Sequence, residues 1–282
     1  MAALPANAAT ARSSAFDHGR LFRIDRAGVP PSYVYGTLHS NDPRVVELPP
    51  EVGAALASSR SAAFETLLLE GDVAAFLASA RYDDGRRLTD QVDAATFARI
   101  RAALGAASPD PATLERAKPW AVLLMLAQTR DSGTASLDGV LQAEARARRL
   151  SVLGLELPDE QVASLDAIPL ASQLALMRWA LDTQHARRAE LEATTRAWLA
   201  GDLAGLRNLS LEPGLRDADL ATHLRTLLKH LITDRNILMA HRLYLPLARG
   251  RVFVAVGALH LQGTDGLLAL IRKQGYRITR VL

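Results

Sequence analysis

Cysteine is absent from the 282-residue chain. That excludes disulfide bridges, thiolate metal sites and a cysteine nucleophile, and is compatible with a reducing or an oxidising compartment. Long apolar runs are also lacking. The longest, Trp120 to Ala127, is far too short to span a bilayer, and its flanks, Lys118-Pro119 and Gln128-Thr129-Arg130, mark it as a buried helix. Met1 to Ala15 has no apolar centre of the kind a signal peptide needs, although a chain beginning just past a removed signal reads the same way. Localisation is therefore periplasmic or secreted in that case and cytoplasmic otherwise. Charge of one sign is missing too, since 33 basic and 30 acidic residues leave a formal +3. The arginines lie among acids along expected helices without interleaved aromatics, which argues against nucleic acid as a partner. There is no P-loop, Gly-x-Gly-x-x-Gly, Gly-x-Ser-x-Gly or His-Glu-x-x-His.

What is present is a repeated pattern. Gly36-Thr37-Leu38-His39 closes the run Tyr33-Val34-Tyr35, and Gly257-Ala258-Leu259-His260 closes Val252-Phe253-Val254-Ala255-Val256. Each reads as a buried strand that stops at glycine and then presents a histidine, at the place where open α/β sheets collect ligands. Two further strand ends carry carboxylates: Ser61 to Phe64 runs into Glu65, and Ser151 to Leu155 into Glu156. A single strand-end histidine is more often a packing residue. Four polar strand ends on one sheet edge are another matter, because two imidazoles with one or two carboxylates form a ligand set for a hydrolytic divalent metal. Of the other histidines, His18 falls in the N-terminal stretch. His185, His223, His230 and His241 fall in helical, charged surroundings, and His241 stands apart only because it follows Arg235-Asn236 on one expected helix.

At 49% hydrophobic residues the chain is a globular one with length for a core and an added lobe. The expected class is α/β with a mixed central sheet bearing the paired strand ends and a large helical insertion. Residues 1–20 read as a disordered or added terminus and 21–282 as a single domain. Its sheet core is expected over about 21–71, 150–158 and 250–282, and its helical lobe over about 72–149 and 159–249. Strands surround the breaker-rich Asp25 to Ser32; Asp90 or Thr89 caps a helix bearing Val92, Phe97, Ile100 and Leu104; Ser108-Pro109-Asp110-Pro111 starts the next. Leu174, Met177, Ala180 and Leu181 form one core stripe, and Trp198, Leu203 and Leu206 another. The chain closes with strand Arg251 to Val256, helix Gly266 to Gln274 and strand Tyr276 to Leu282, a βαβ-like ending.

Leu21-Phe22-Arg23-Ile24, Tyr35 to Ser40 and Leu48-Pro49-Pro50-Glu51-Val52 resemble the opening of the TraB/GumN family, whose wider relatives include the Tiki proteases. The likeness continues through Phe64-Glu65, Lys118 to Ala121, Leu137-Asp138, Gly154-Leu155-Glu156 with Glu160-Gln161, and Asp234-Arg235-Asn236. It ends with Val256 to Leu261, Gly263 to Leu268 and Gly275-Tyr276. The resemblance implies a metal-dependent, Tiki-like protease fold with paired Gly-x-x-His motifs, with bacterial members of unsettled substrate. It matches His39 and His260 to the paired histidines, Glu65 to the early acidic residue, and Glu156 and Arg235 to other characteristic polar positions. Leu157-Pro158 follows Glu156 where Thr often stands, a departure from the family's polar pattern beside that carboxylate.

The resulting expectation is a metal-dependent, peptidase-like hydrolase in which His39, Glu65 and His260 hold one divalent cation, manganese, cobalt or zinc. Glu156 would serve as general base or further ligand, and Arg235 would stabilise an oxyanion or hold a substrate carboxylate. An ion pair inside the helical lobe is the equal alternative for Arg235. The substrate would be a peptide or small molecule. The competing reading is a non-catalytic binding or envelope-associated protein acting in polysaccharide export or peptide signalling.

Overall fold

The computed structural model describes residues 16–67, 72–127, 135–215 and 217–282. The expectations for Met1 to Ala15, for the end of the first sheet segment at 68–71 and for the flank Gln128-Thr129-Arg130 lie outside them. Six strands form one mixed sheet in the order β4-β3-β5-β2-β1-β6. They are β1 (Leu21–Arg26), β2 (Val29–Thr37), β3 (Ser61–Phe64), β4 (Ser151–Gly154), β5 (Val252–Gly257) and β6 (Arg277–Arg280). The class is α/β with a helical lobe, as the sequence implies.

β5 lies inside the sheet because its sequence permits nothing else. Val252 to Gly257 is apolar without alternation and every residue is buried, the signature of a strand covered on both faces. It pairs in parallel with β2 on one side, Tyr35 opposite Ala255 and Thr37 opposite Gly257, and with β3 on the other, Phe64 opposite Ala255. β4 continues the parallel set beyond β3. The hairpin at Gly28 (φ 74°) turns β1 antiparallel to β2, and β6 pairs antiparallel with β1. The ending is thus βαβ-like in chain order, but β2 and β1 stand between β5 and β6.

The boundaries differ from expectation in four places. Phe16 is buried edge-to-face on Phe22, and the Gly19 N–H donates to the Gly201 carbonyl (2.8 Å), so the fold begins before residue 20. Helices Pro43–Val46 and Pro50–Ser58 lie within the first sheet segment, each with proline in its first turn. Helix Ala94–Leu104 is capped by Asp93, whose carboxylate accepts from the Thr96 N–H (2.6 Å), while Thr89 and Asp90 belong to a preceding 3₁₀ turn. Not all helices outside the sheet segments belong to the lobe. Leu137, Leu141 and Ala145 of helix Leu137–Ala147, together with Trp198, Leu203, Leu206, Met239 and Leu247, join the sheet's own core. The lobe proper has a separate core of Leu88, Ile100, Leu104, Leu114, Val122, Leu126, Met177 and Leu181.

The first Gly-x-x-His glycine is a packing requirement. A Cβ on Gly36 would stand 2.6 Å from Cδ1 of Leu261, which is fully buried, and 3.2 Å from the Ala258 Cα. The Gly36 carbonyl also accepts from the Trp198 indole N–H at 3.0 Å. Gly36→Ala should therefore lower the unfolding free energy by about 1–3 kcal/mol through overpacking. Urea denaturation measures this, and an unchanged midpoint would show that the β2–β5 layer has slack there.

Candidate functional site

Parallel pairing brings four polar strand ends to one edge. Beyond the strands the ladder continues: the Glu65 N–H donates to the Ala255 carbonyl (3.2 Å) and the Glu156 N–H to the Glu65 carbonyl (2.9 Å). Glu65, Glu156 and His260 are buried, whereas 65% of the His39 side chain is open at the rim.

His39 is held by the start of helix Leu137–Ala147. Ser136 caps that helix, and the Leu137 N–H donates to the Ser40 carbonyl (3.0 Å), tying the helix to the loop after His39. Asp138 stands in the first turn, where the helix dipole favours an anion. Its carboxylate accepts from Thr37 Oγ1 and from His39 Nδ1, both at 2.8 Å. The Asp138 hydrogen bond raises the His39 pKa to about 9. Water at the open rim screens this pair and reduces what it contributes to stability.

His260 is held differently. It ends the 3₁₀ turn after β5, and its Nδ1 lies 2.8 Å from Asn236 Oδ1. Asn236 Nδ2 donates to the Asp265 carbonyl at 2.9 Å. A carbonyl only accepts, so the amide orientation follows, Oδ1 faces the imidazole, and Nδ1 carries the His260 proton. Nε2 is left as an acceptor. Burial lowers the His260 pKa to about 4, outweighing the pull of Glu65, so the ring is neutral.

The carboxylates meet on Arg235. Its Nε donates to both Glu156 oxygens (2.8 and 2.9 Å), its Nη2 to Glu156 and Glu65, and its Nη1 to the Leu231 carbonyl (3.0 Å). Arg235 and Asn236 open the inward face of helix Asp234–Arg242, directly after a π-helical turn at Lys229–Thr233. Glu65 also accepts from the Gly257 N–H at 3.1 Å. Burial pushes the Glu65 carboxyl up, but His260, which becomes charged in the acid range where that carboxyl would titrate, together with the Arg235 and His39 charges, holds it well below the usual carboxylate range. For Glu156, burial prevails over Arg235 and raises the pKa. One guanidinium cannot fully balance two buried carboxylates.

The second Gly-x-x-His glycine leaves room. A Cβ on Gly257 would meet Glu65 Oε2, His260 Cδ2 and His39 Nε2, each at 3.5 Å. Thus His39, Glu65 and His260 surround one point, while Glu156 lies a step away through Arg235. His260 Nε2 and Glu65 Oε2 stand 3.7 Å apart, beyond hydrogen bonding. Among the described residues no group of three or more His, Asp or Glu side chains is arranged so that it could hold a metal ion. The donor types are nevertheless those a divalent cation takes: each imidazole has Nδ1 committed to an oxygen acceptor, which orients Nε2, and Glu65 Oε2 lies beside the same point near Gly257. Asp138, Asn236 and Thr37 are the members that motif reading leaves without a role. The sequence signals were a serine cap placing Asp138 in a first turn, the adjacency of Asn236 to Arg235, and the presence of both residues in the family-like strings Leu137-Asp138 and Asp234-Arg235-Asn236, which gave them no role.

A cleft of about 1250 Å³ opens from His39 and Ser40 toward the lobe, between Leu104, Met125 and Leu126 on one side and Arg187, Leu191 and Glu192 on the other. His241 is exposed on helix Asp234–Arg242, and His223 bonds Ser172 between two lobe helices (2.9 Å), so neither belongs to the site.

The sequence profile described as the TraB/PrgY/gumN family matches residues 21–280. No curated protein and no solved structure matches the chain.

The His39–Asp138 pair has a defined pH signature. With a folded pKa raised above the ordinary 6.5, its stabilisation is fully present below pH 6.5 and is lost as pH rises through about 9. In cation-free protein the His39 imidazole should titrate near 9 by NMR, and Asp138→Asn should move that midpoint down by at least about one unit. A midpoint that the substitution leaves in place would remove Asp138 from this role.

Proposed function

The chain belongs to the TraB/PrgY/gumN family, and we propose that it is a metal-dependent hydrolase of peptidase type, with His39, Glu65 and His260 as the cation ligands. The observation that carries the reading is the convergence of His39 Nε2, Glu65 Oε2 and the His260 ring on the open position beside Gly257. A divalent cation bound there supplies Lewis acidity toward water and a scissile carbonyl.

The chain's own groups account for the rest. Asp138 and Asn236 fix the two rings, so that each presents Nε2 without a search over rotamers. Glu65 brings the negative charge that a cation needs. Of the two carboxylates, Glu156 is the better proton acceptor, because its raised pKa gives it basicity that Glu65 lacks. That role requires Arg235 to release one Glu156 oxygen. Among the described residues one Nη1 hydrogen of Arg235 has no acceptor beyond its bonds to Leu231, Glu65 and Glu156, and that hydrogen would steady a developing oxyanion. The cleft toward the lobe, with its apolar wall at Leu104, Met125 and Leu126, would receive an extended substrate.

A second reading, a binding protein without turnover in export or signalling, draws on one feature. Both Glu156 oxygens are held by Arg235, which leaves the base occupied.

Calorimetric titration with manganese, cobalt or zinc tests the cation site. His39→Ala and His260→Ala should each weaken binding by at least about tenfold without unfolding the chain. Gly257→Ala should do the same for a different reason: its Cβ makes ordinary contacts at 3.5 Å, so the fold persists while the open position is filled. Glu156→Gln should keep cation affinity and lose hydrolysis of a peptide library. Unchanged affinity in all three site variants would sink the metal reading, and tight binding without any hydrolysis would leave the binding protein.

A further inference from the structure

The edge of the sheet opposite the histidines is basic in a way the linear sequence hides. Three neighbouring strands, β4, β3 and β5, begin there, preceded by Arg146, Arg148 and Arg149, by Arg60, and by Arg249 and Arg251. All six are exposed. The backbone holds the three segments side by side, the Arg60 N–H donating to the Arg251 carbonyl (2.8 Å) and the Ser151 N–H to the Arg60 carbonyl (3.2 Å). With parallel strands about 4.8 Å apart, the segments lie within about 10 Å of one another. Segments 58–61, 146–151 and 249–251 contain no acid. Glu144 pairs with Arg148, and among the described residues no ion pair involves Arg60, Arg149, Arg249 or Arg251.

Part of this pattern is explained by local structure. Helices Pro50–Ser58, Leu137–Ala147 and Tyr244–Arg249 end at this edge, and their C-termini favour cations. That does not explain Arg149 (φ 59°) and Arg251 (φ 56°), the only non-glycine residues with positive φ among those described. Glycine occupies that conformation without strain, whereas arginine does not. At two of the three strand starts the chain carries arginine where backbone energetics favour glycine.

We propose that this edge is a docking surface for anionic phospholipid headgroups. Clustered guanidiniums bind phosphate through paired hydrogen bonds, and exposed apolar side chains beside them would enter the interface. Such side chains are present on the helix that delivers Arg249: Tyr244 is 53% and Leu245 62% exposed, and Leu245 shares a face with Arg249 four residues on. The arginine segments hold no aromatic residue on which a base could stack, which disfavours single-stranded nucleic acid. No described helix is long and apolar enough to cross a membrane, so attachment would be peripheral. Docking by this edge turns His39 and the cleft away from the bilayer.

Sedimentation with vesicles of phosphatidylglycerol and phosphatidylcholine in equal parts, against pure phosphatidylcholine, tests the proposal with the full chain. Binding should be confined to the anionic vesicles and should fall as salt rises. The double substitution Arg149→Gly with Arg251→Gly relieves both strained positions, so its unfolding midpoint should be no lower than wild type. Its vesicle partition should nevertheless drop by about thirtyfold. Leu245→Ser should weaken partition while leaving the salt dependence intact. Equal binding to both vesicle types, or full binding by the folded double variant, overturns the proposal. Duplex DNA binding that the double variant abolishes, with no vesicle binding, reassigns the surface to nucleic acid.

Discussion

The site is organised around one guanidinium. Arg235 lies buried between Glu65 and Glu156, and the three side chains are 8%, 7% and 1% exposed. Desolvating three charges is costly, and the cost is offset only where nearly every hydrogen-bonding position is filled. Here Glu156 accepts at both oxygens, Glu65 takes an additional backbone N–H from Gly257, and Arg235 reaches back to Leu231. Glu65 follows β3, Glu156 lies beyond β4 and Arg235 opens a helix, so the trio locks three elements in one register. Such a cluster contributes geometry more than stability, since losing one partner of a buried ionic group costs about 3–5 kcal/mol while the intact group gains little over apolar packing.

The paired Gly-x-x-His motifs look alike and work differently. Gly36 is small because Leu261 and Ala258 press against it; Gly257 is small because three polar side chains converge beside it. His39 is exposed and drawn toward its charged form by Asp138, while His260 is buried and kept neutral. A cation arriving between them would displace a proton from the first ring and none from the second. Affinity would then follow the ionisation of His39, at the end of the site that solvent reaches.

The two edges of the parallel strands divide the molecule's electrostatics. Helix starts gather near the carboxyl edge, where Asp138 stands in a first turn, and helix ends gather at the amino edge, where six arginines stand. This polarity follows from βα connectivity, because β2, β3, β4 and β5 each lead toward helix starts and β3, β4, β5 and β6 each follow a helix end. A net charge of only +3 is therefore compatible with a strongly basic face.

The sequence by itself determined the strands, the edge at which they end and the residues presented there. Buried runs closing on glycine are local patterns, and Val252 to Val256 can scarcely be anything but an interior strand. The order of motifs was enough to indicate the family. Tertiary structure decided the rest, for reasons of sequence distance. Asp138 lies 99 residues from His39, and Asn236 lies 24 from His260, so neither partnership leaves a local trace. Arg235 joins residues 170 and 79 positions away, which is why the sequence leaves an ion pair inside the helical lobe as good a reading of it as an oxyanion or substrate-carboxylate contact. Helix Leu137–Ala147 reads as lobe by periodicity yet packs on the sheet, because its amphipathic stripe states only that something apolar will cover it. The arginines look scattered along the chain, and only the parallel alignment of strand starts gathers them onto one edge.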